Sequence, residues 1–355
     1  MKKEIGSIFP LSDEAITMAE SVHLSYSGNR LFYSLCREAL YDIAISVQTS
    51  NKTVLIPAYT CQTVITPFEE AGWKCQFFSI QKDLRINVPK LFEIVSREKP
   101  SLLVVHPYFG MDLNAEEVSA LQFLKEKGIK IVVDLTQCLF STKCYPFADF
   151  KVASYRKWMP IPDGGFLECD SDSLSILQPE TENIRFTEIM TAAMFLRYQY
   201  FENGLLRIKG ISIKLSKEAN LVTKNDIMPH KMSSVSYSLM QMEDLEGNQK
   251  RRISNYAYLS TNIHESEKII KVCQNLSEVT TAPLYFTIYV KNRSSLQGLL
   301  AKEAIYAPVI WPVEDLVVLI DENIRYIYDH LLAIPCDQRY DQYDMQRAVT
   351  IINNF

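Results

Sequence analysis

Hydrophobic positions along this 355-residue chain follow two rhythms, which alternate through its first half. Thr53–Ile56, Gln76–Ile80, Leu102–His106, Lys130–Asp134, Lys151–Ser154 and Gly165–Cys169 are short runs, several apolar on consecutive positions. Such runs predict strands covered on both faces. Between them, Thr60–Gly72 and Asn114–Gly128 have helical spacing, and each closes on a glycine suited to a helix C-terminus. A further helix is predicted over Leu31–Ser46, where Leu31, Leu35, Ala39 and Ile43 share one face. Ser27-Gly28-Asn29 in front of it supplies capping residues. The alternation predicts an α/β fold with a mostly parallel central sheet.

The second half has a different pattern. Residues 173–260 read as mainly helical, with Arg251-Arg252 expected to form salt bridges on a solvated or dimer-facing helix. Then come a strand (Leu284–Val290), a helix (Ser294–Lys302), a short β segment (Tyr306–Trp311) and helices over Ile324–Ala333 and Asp341–Asn353. This pattern predicts a large α/β domain over 1–235, with an N-terminal arm at 1–20, and a smaller α+β domain over 236–355.

Composition narrows the function. A net charge of -5 gives no general pull toward nucleic acid or an anionic membrane, so a bound anion needs a local site. The eight cysteines show neither a CxxC pair nor zinc-like spacing; they predict a reduced cytoplasmic setting and no metal centre. The two N-terminal lysines are not followed by a continuous apolar stretch, so the start does not read as a signal peptide. No run approaches the roughly 18 apolar residues of a membrane span.

In parallel sheets, ligands bind beyond the carboxyl ends of the strands, and reactive groups collect at those ends here. Asp134 ends KIVVD and Gln137 follows; Ser154 ends the next strand, with Arg156 and Lys157 in SYRKWMPIPDGG. Gly28 and Asn29 precede the first long helix, where backbone amides suit a phosphate. A lysine amine, a carboxylate and a phosphate cradle are what pyridoxal phosphate requires. A partly buried Lys157 beside cationic Arg156 would be the better nucleophile. Each residue also has an ordinary reading. Asp134 could simply cap a helix, Lys157 could lie on the surface, and Gly28-Asn29 is a common capping context; the set and its spacing favour the cofactor.

The stretches IPAYTCQTVITPFEEAGWKCQFFSI (56–80), VVHPYFGMDLN (104–114), IVVDLTQC (131–138) and SYRKWMPIPDGGFL (154–167) resemble the DegT/StrS-type aminotransferases. LLAKEAIYAPVIW (299–311) and HLLAIPCDQRY (330–340) fit as well. The resemblance implies the aspartate-aminotransferase fold (fold type I), pyridoxal 5′-phosphate as cofactor, a homodimer and a keto-sugar substrate, expected to be nucleotide-linked, aminated from glutamate or a similar donor. Asp134 would pair with the pyridine nitrogen and Gln137 would lie near the ring hydroxyl. Ser154, with Gly28, Asn29 and Arg30, would hold the phosphate. Lys157 would form the Schiff base. A partner loop around Met228–Ser233 would complete each site.

This chain departs from the family pattern at three places. Cys61 stands where an aromatic residue usually stacks on the ring, which makes Tyr59 a substitute candidate. Ser154 and Lys157 are three apart rather than the usual five, which brings Arg156 into consideration for the phosphate. The partner-loop Asn-x-Arg reads Pro229-His230-Lys231, replacing a bidentate guanidinium with a point charge. His106, His230, Lys231 and Trp311 are candidates for substrate contact, and His23 for the phosphate turn. Trp158 is expected in the core, and His264 and His330 as ordinary helix residues. Two other readings stay open: another pyridoxal-phosphate enzyme, such as a dehydratase, lyase or amino-acid-acting enzyme, and a catalytically silent binding protein on the same fold.

Overall fold

The computed structural model describes residues 3–21, 30–169, 179–224, 226–273, 275–311 and 321–355. Its first half contains α1 (Asp13–Ser21), β1 (Arg30–Tyr33), α2 (Cys36–Ser46), β2 (Thr53–Pro57), α3 (Gln62–Glu70), β3 (Lys74–Phe78), α4 (Val88–Glu98), β4 (Leu102–Val105), α5 (Ala115–Glu126), β5 (Lys130–Asp134), β6 (Phe150–Ser154) and β7 (Gly165–Cys169). After these come α6 (Ile184–Asn203), α7 (Leu206–Val222), α8 (Ser234–Met242), α9 (Leu245–Asn262), β8 (Ile269–Lys271), β9 (Tyr285–Val290), α10 (Arg293–Lys302), α11 (Glu322–His330), β10 (Leu331–Pro335) and α12 (Gln342–Asn353).

Among the described residues the main sheet has seven strands in the order β1-β7-β6-β5-β4-β2-β3, and a second sheet runs β10-β9-β8. Contacts divide the chain into two compact units, each discontinuous in sequence: Ile8–Gln48 with Phe150–Asp244, and Lys2–Ser7 with Thr49–Asp149 and Leu245–Phe355.

In the second unit β2, β3, β4 and β5 are all parallel, and the consecutive apolar runs explain why. Val54–Ile56, Leu102–Val105 and Ile131–Val133 are 0% exposed, as strands covered on both faces must be. The helix ends also match the pattern. Asn114 and Glu117 form a reciprocal capping box on α5, and Gly72 and Gly128 follow α3 and α5 at φ 77° and 87°. In the second sheet the neighbouring strands are antiparallel, and Phe286, Ile288, Leu332 and Ile334 join a core with α9, α10 and α12.

In the first unit β6, β7 and β1 are antiparallel neighbours, the exception within a sheet that is mostly parallel as predicted. Arg30–Tyr33 belongs to a strand, not to the start of a helix over Leu31–Ser46. Its register on β7 sets Leu31 opposite Leu167 and Tyr33 opposite Gly165, and the helix begins only at Cys36. The spacing-four match at Leu31 and Leu35 is accidental; pairing with β7 overrides it.

Further differences lie elsewhere. The third strand begins at Lys74 and ends at Phe78, and α4 was not predicted. The helix expected over Ile324–Ala333 stops at His330, where Leu331 turns extended (φ -68°, ψ 126°) and the buried run LLAIP pairs with β9. No strand forms over Tyr306–Trp311. Arg252, expected on a solvated or dimer-facing face, is 1% exposed and donates to the carbonyls of Pro283 and Leu284. Trp158 is buried as expected. His330 ends α11 stacked on Tyr326, and His264 follows the end of α9 rather than lying in it. All eight cysteines are free.

Candidate active site

Three neighbouring parallel strands of the second unit deliver a connected set of polar side chains. The β4–β5 register pairs Val105 with Val133, so the next residues, His106 and Asp134, leave their strands side by side. His106 Nδ1 lies 3.4 Å from Asp134 Oδ2. Its Nε2 lies 2.8 Å from the Thr60 hydroxyl, just beyond β2. Asp134 Oδ1 accepts the Thr136 N–H at 2.9 Å, which caps the short turn Leu135–Gln137. Burial pushes the Asp134 carboxyl upward, but the bond and charge of His106, together with the Thr136 bonds, hold it below the ordinary value. The group is therefore a carboxylate at neutral pH, aimed and fixed. Both nitrogens of His106 face protein groups.

Gln137 is buried, and its side-chain oxygen accepts the Phe109 N–H at 3.2 Å. Tyr59 is 2% exposed, its ring 5.1 Å from Tyr328, 5.9 Å from Tyr108 and 4.8 Å from Trp311. Trp311 is partly exposed and also lies 6.1 Å from His106. Cys61 is half-buried at the N-cap of α3, its sulfur accepting the Thr63 hydroxyl at 3.0 Å. Sequence reasoning missed three contributors. Thr60 orients His106, while Tyr108 and Tyr328 donate to the carbonyls of Tyr59 (2.6 Å) and Ala58 (2.9 Å) and so hold the turn that carries Thr60. The run PAYT was the available signal.

In the first unit, Ser154 ends β6 opposite Gly165, and a tight turn carries Tyr155, Arg156 and Lys157. Ser154 and Tyr155 are buried and Arg156 is half-buried with its guanidinium 5.7 Å from the Phe186 ring. Lys157 is exposed, not partly buried as expected, while its neighbours Tyr155 and Trp158 are buried. Arg30 is turned to other partners: Glu168 at 3.1 Å, the Tyr155 hydroxyl at 2.9 Å and the Phe166 ring at 4.5 Å. Gly165 packs so closely that a Cβ there would sit 2.5 Å from the Cys36 nitrogen. His230 faces Glu38 and Asp226, and Lys231 pairs with Tyr33 of β1. Gly28, Asn29 and His23 lie outside the described residues.

The mixed α/β fold, with a mostly parallel seven-strand sheet among the described residues, is that of the fold type I pyridoxal-phosphate transferases. The chain belongs to the DegT/DnrJ/EryC1/StrS aminotransferase family, whose profile matches residues 38–325. It is a pyridoxal-phosphate-dependent aminotransferase. No curated protein matches its sequence. Among solved structures it resembles the aminotransferase TlmJ from Streptoalloteichus hindustanus (TM-score 0.69, 14% identity, 99% of this chain and 98% of that one). It also resembles Helicobacter pylori PseC, an aminotransferase involved in the biosynthesis of pseudoaminic acid (TM-score 0.68, 14% identity, 99% of each chain). A third match is the sugar aminotransferase CalS13 from Micromonospora echinospora (TM-score 0.68, 12% identity, 100% of each chain). At such identities the likeness is one of fold.

The chemistry at Asp134 fits the cofactor: a buried carboxylate kept anionic is what a protonated pyridine nitrogen requires. Among the described residues no cluster of His, Cys, Asp and Glu could hold a metal ion, and no helix is long and apolar enough to cross a membrane.

Proposed function

We propose that the chain moves an amino group from glutamate, or a similar donor, to a keto sugar, most simply a nucleotide-linked one, as a cytoplasmic homodimer. The observation that carries this reading is the Asp134 carboxylate, buried yet held anionic by His106 and Thr136. Pyridoxal phosphate, when bound, supplies an electron sink and a carrier for the amino group. By the family pattern Lys157 would hold it covalently through Nζ and would carry a proton at that same nitrogen during transfer. Asp134 would pair with the ring nitrogen, and His106 with Thr60 keeps that carboxylate in place. Gln137 would lie near the ring hydroxyl. Ser154, Gly28 and Asn29 would hold the phosphate, with Arg156 and Arg30 as flanking cations. Tyr59 and Cys61 would border the ring, and Trp311 and Lys231 would meet the substrate. In this reading residues 1–235 carry the cofactor and 236–355 form the smaller domain.

The test is an absorbance spectrum of the purified protein before and after glutamate. A yellow protein whose band bleaches as the amine form accumulates supports the reading. A band unmoved by glutamate and every other amino donor sinks it, in favour of a different pyridoxal-phosphate reaction, which the departures at Cys61 and Pro229–Lys231 leave as the second reading.

A further inference from the structure

The segment around Met228–Ser233 is fastened to its own chain by backbone pairing. Ser34 donates to the His230 carbonyl at 2.8 Å, Met232 to the Phe32 carbonyl at 3.3 Å, and Lys231 to the Thr181 carbonyl at 2.8 Å. Ser233 donates to Asp163 at 2.6 Å through its hydroxyl. One further link joins two titratable side chains. The Glu38 side chain, in the first turn of α2, is 0% exposed. Its Oε2 accepts the His230 N–H at 3.0 Å, and its Oε1 lies 3.6 Å from His230 Nδ1. Glu38 Oε1 and His230 Nδ1 are both buried without a hydrogen-bond partner. They face each other just beyond hydrogen-bonding distance. On the other side of the imidazole, Nε2 lies 3.7 Å from Asp226 Oδ2.

We propose that Glu38 and His230 form a proton-dependent latch, with Glu38 as the positioning residue that fixes the His230–Lys231 segment on the edge of β1. The functional consequence rests on the reading that this segment contributes Lys231 to the substrate site. The charged groups facing the imidazole are Glu38 from α2 and Asp226 from its own segment, while Asp163, between β6 and β7, faces Glu38. Burial pushes the Glu38 carboxyl up and His230 pulls it back down; in its ionised form it needs a partner, because an uncompensated charge in a low-dielectric setting is strongly unfavourable. The proton on His230 supplies that compensation. The nearby Glu38 carboxyl raises the affinity of His230 for the proton against the opposing effect of burial, and Asp226 adds to it. A histidine whose folded value is raised stabilises the latched state fully below its unfolded value, and that stabilisation is lost as pH rises through the folded value.

The test needs neither substrate nor turnover, so its failure is distinct from failure of the aminotransferase reading. Hydrogen exchange of peptides covering 226–233 is measured across pH on the holoenzyme and corrected for intrinsic rates, alongside the NMR titration of His230. The wild type is expected to show an opening step, about tenfold faster exchange on the alkaline side of the His230 titration. His230→Gln loses that step. Glu38→Gln, which keeps the acceptor for the His230 N–H, lowers the pH at which His230 titrates. The proposal is overturned if exchange of this segment has no step in the wild type, or if the step persists in His230→Gln. Should Glu38→Gln not fold, the His230→Gln profile alone decides.

Discussion

The two units carry their reactive groups in opposite ways. In the second, Asp134 is buried, both its oxygens are engaged, and His106 beside it is held by Thr60. In the first, Lys157 stands exposed on a tight turn, while its neighbours Tyr155 and Trp158 are buried. Under the proposed roles the contrast has a physical reason. A group that keeps one charge throughout a reaction gains from a fixed, preorganised shell. A lysine proposed to form and break a covalent bond gains from freedom to move.

Substitutions test this contrast, beginning with the lysine. Lys157→Ala should cost on the order of 10³-fold or more in turnover and abolish the covalent adduct trapped by borohydride and seen by mass spectrometry. An adduct that survives would remove Lys157 from its role. Asp134→Asn should cost roughly 10²–10³-fold in kcat, because a preorganised charge is lost.

His106 tests the shell itself. His106→Asn keeps a donor where Nδ1 sits, whereas His106→Gln reaches toward Thr60 and abandons Asp134. The Gln form should be about tenfold slower than the Asn form. Its acid unfolding should also begin at higher pH. Asp134 has a depressed carboxyl, so its stabilisation is present above the ordinary carboxylate range and lost as pH falls through the folded value. Equal rates and identical acid limbs in the two variants would deny His106 this role. The smallest effect is structural: Gly165→Ala should destabilise by about 1–3 kcal/mol in denaturant titration, since its Cβ meets the Cys36 backbone at 2.5 Å.

Much of the fold could be read directly. The consecutive apolar runs at 53–56, 102–105 and 130–134 became parallel strands because burial on both faces leaves a compositional trace. The capping box at Asn114 and the glycines after α3 and α5 were legible for a similar reason: backbone groups at helix ends are satisfied by nearby residues. The misreadings fell where pairing across the chain overrides local rhythm. Arg30–Tyr33 imitates a helix until β7 is beside it, and Leu331–Pro335 imitates the end of one until β9 is.

The same division runs through the candidate site. The sequence alone determined that a carboxylate would end one strand and that a serine, an arginine and a lysine would follow another, because chemistry and order are written residue by residue. It also placed the chain in its family. Only the tertiary structure decided that Thr60 would lie 2.8 Å from His106 Nε2, and that Glu38 would lie beneath His230, 192 positions away. The strand order and the register determine those neighbours. A hydrogen bond between residues far apart in sequence leaves no periodic mark along the chain, since it depends on which elements come to lie side by side.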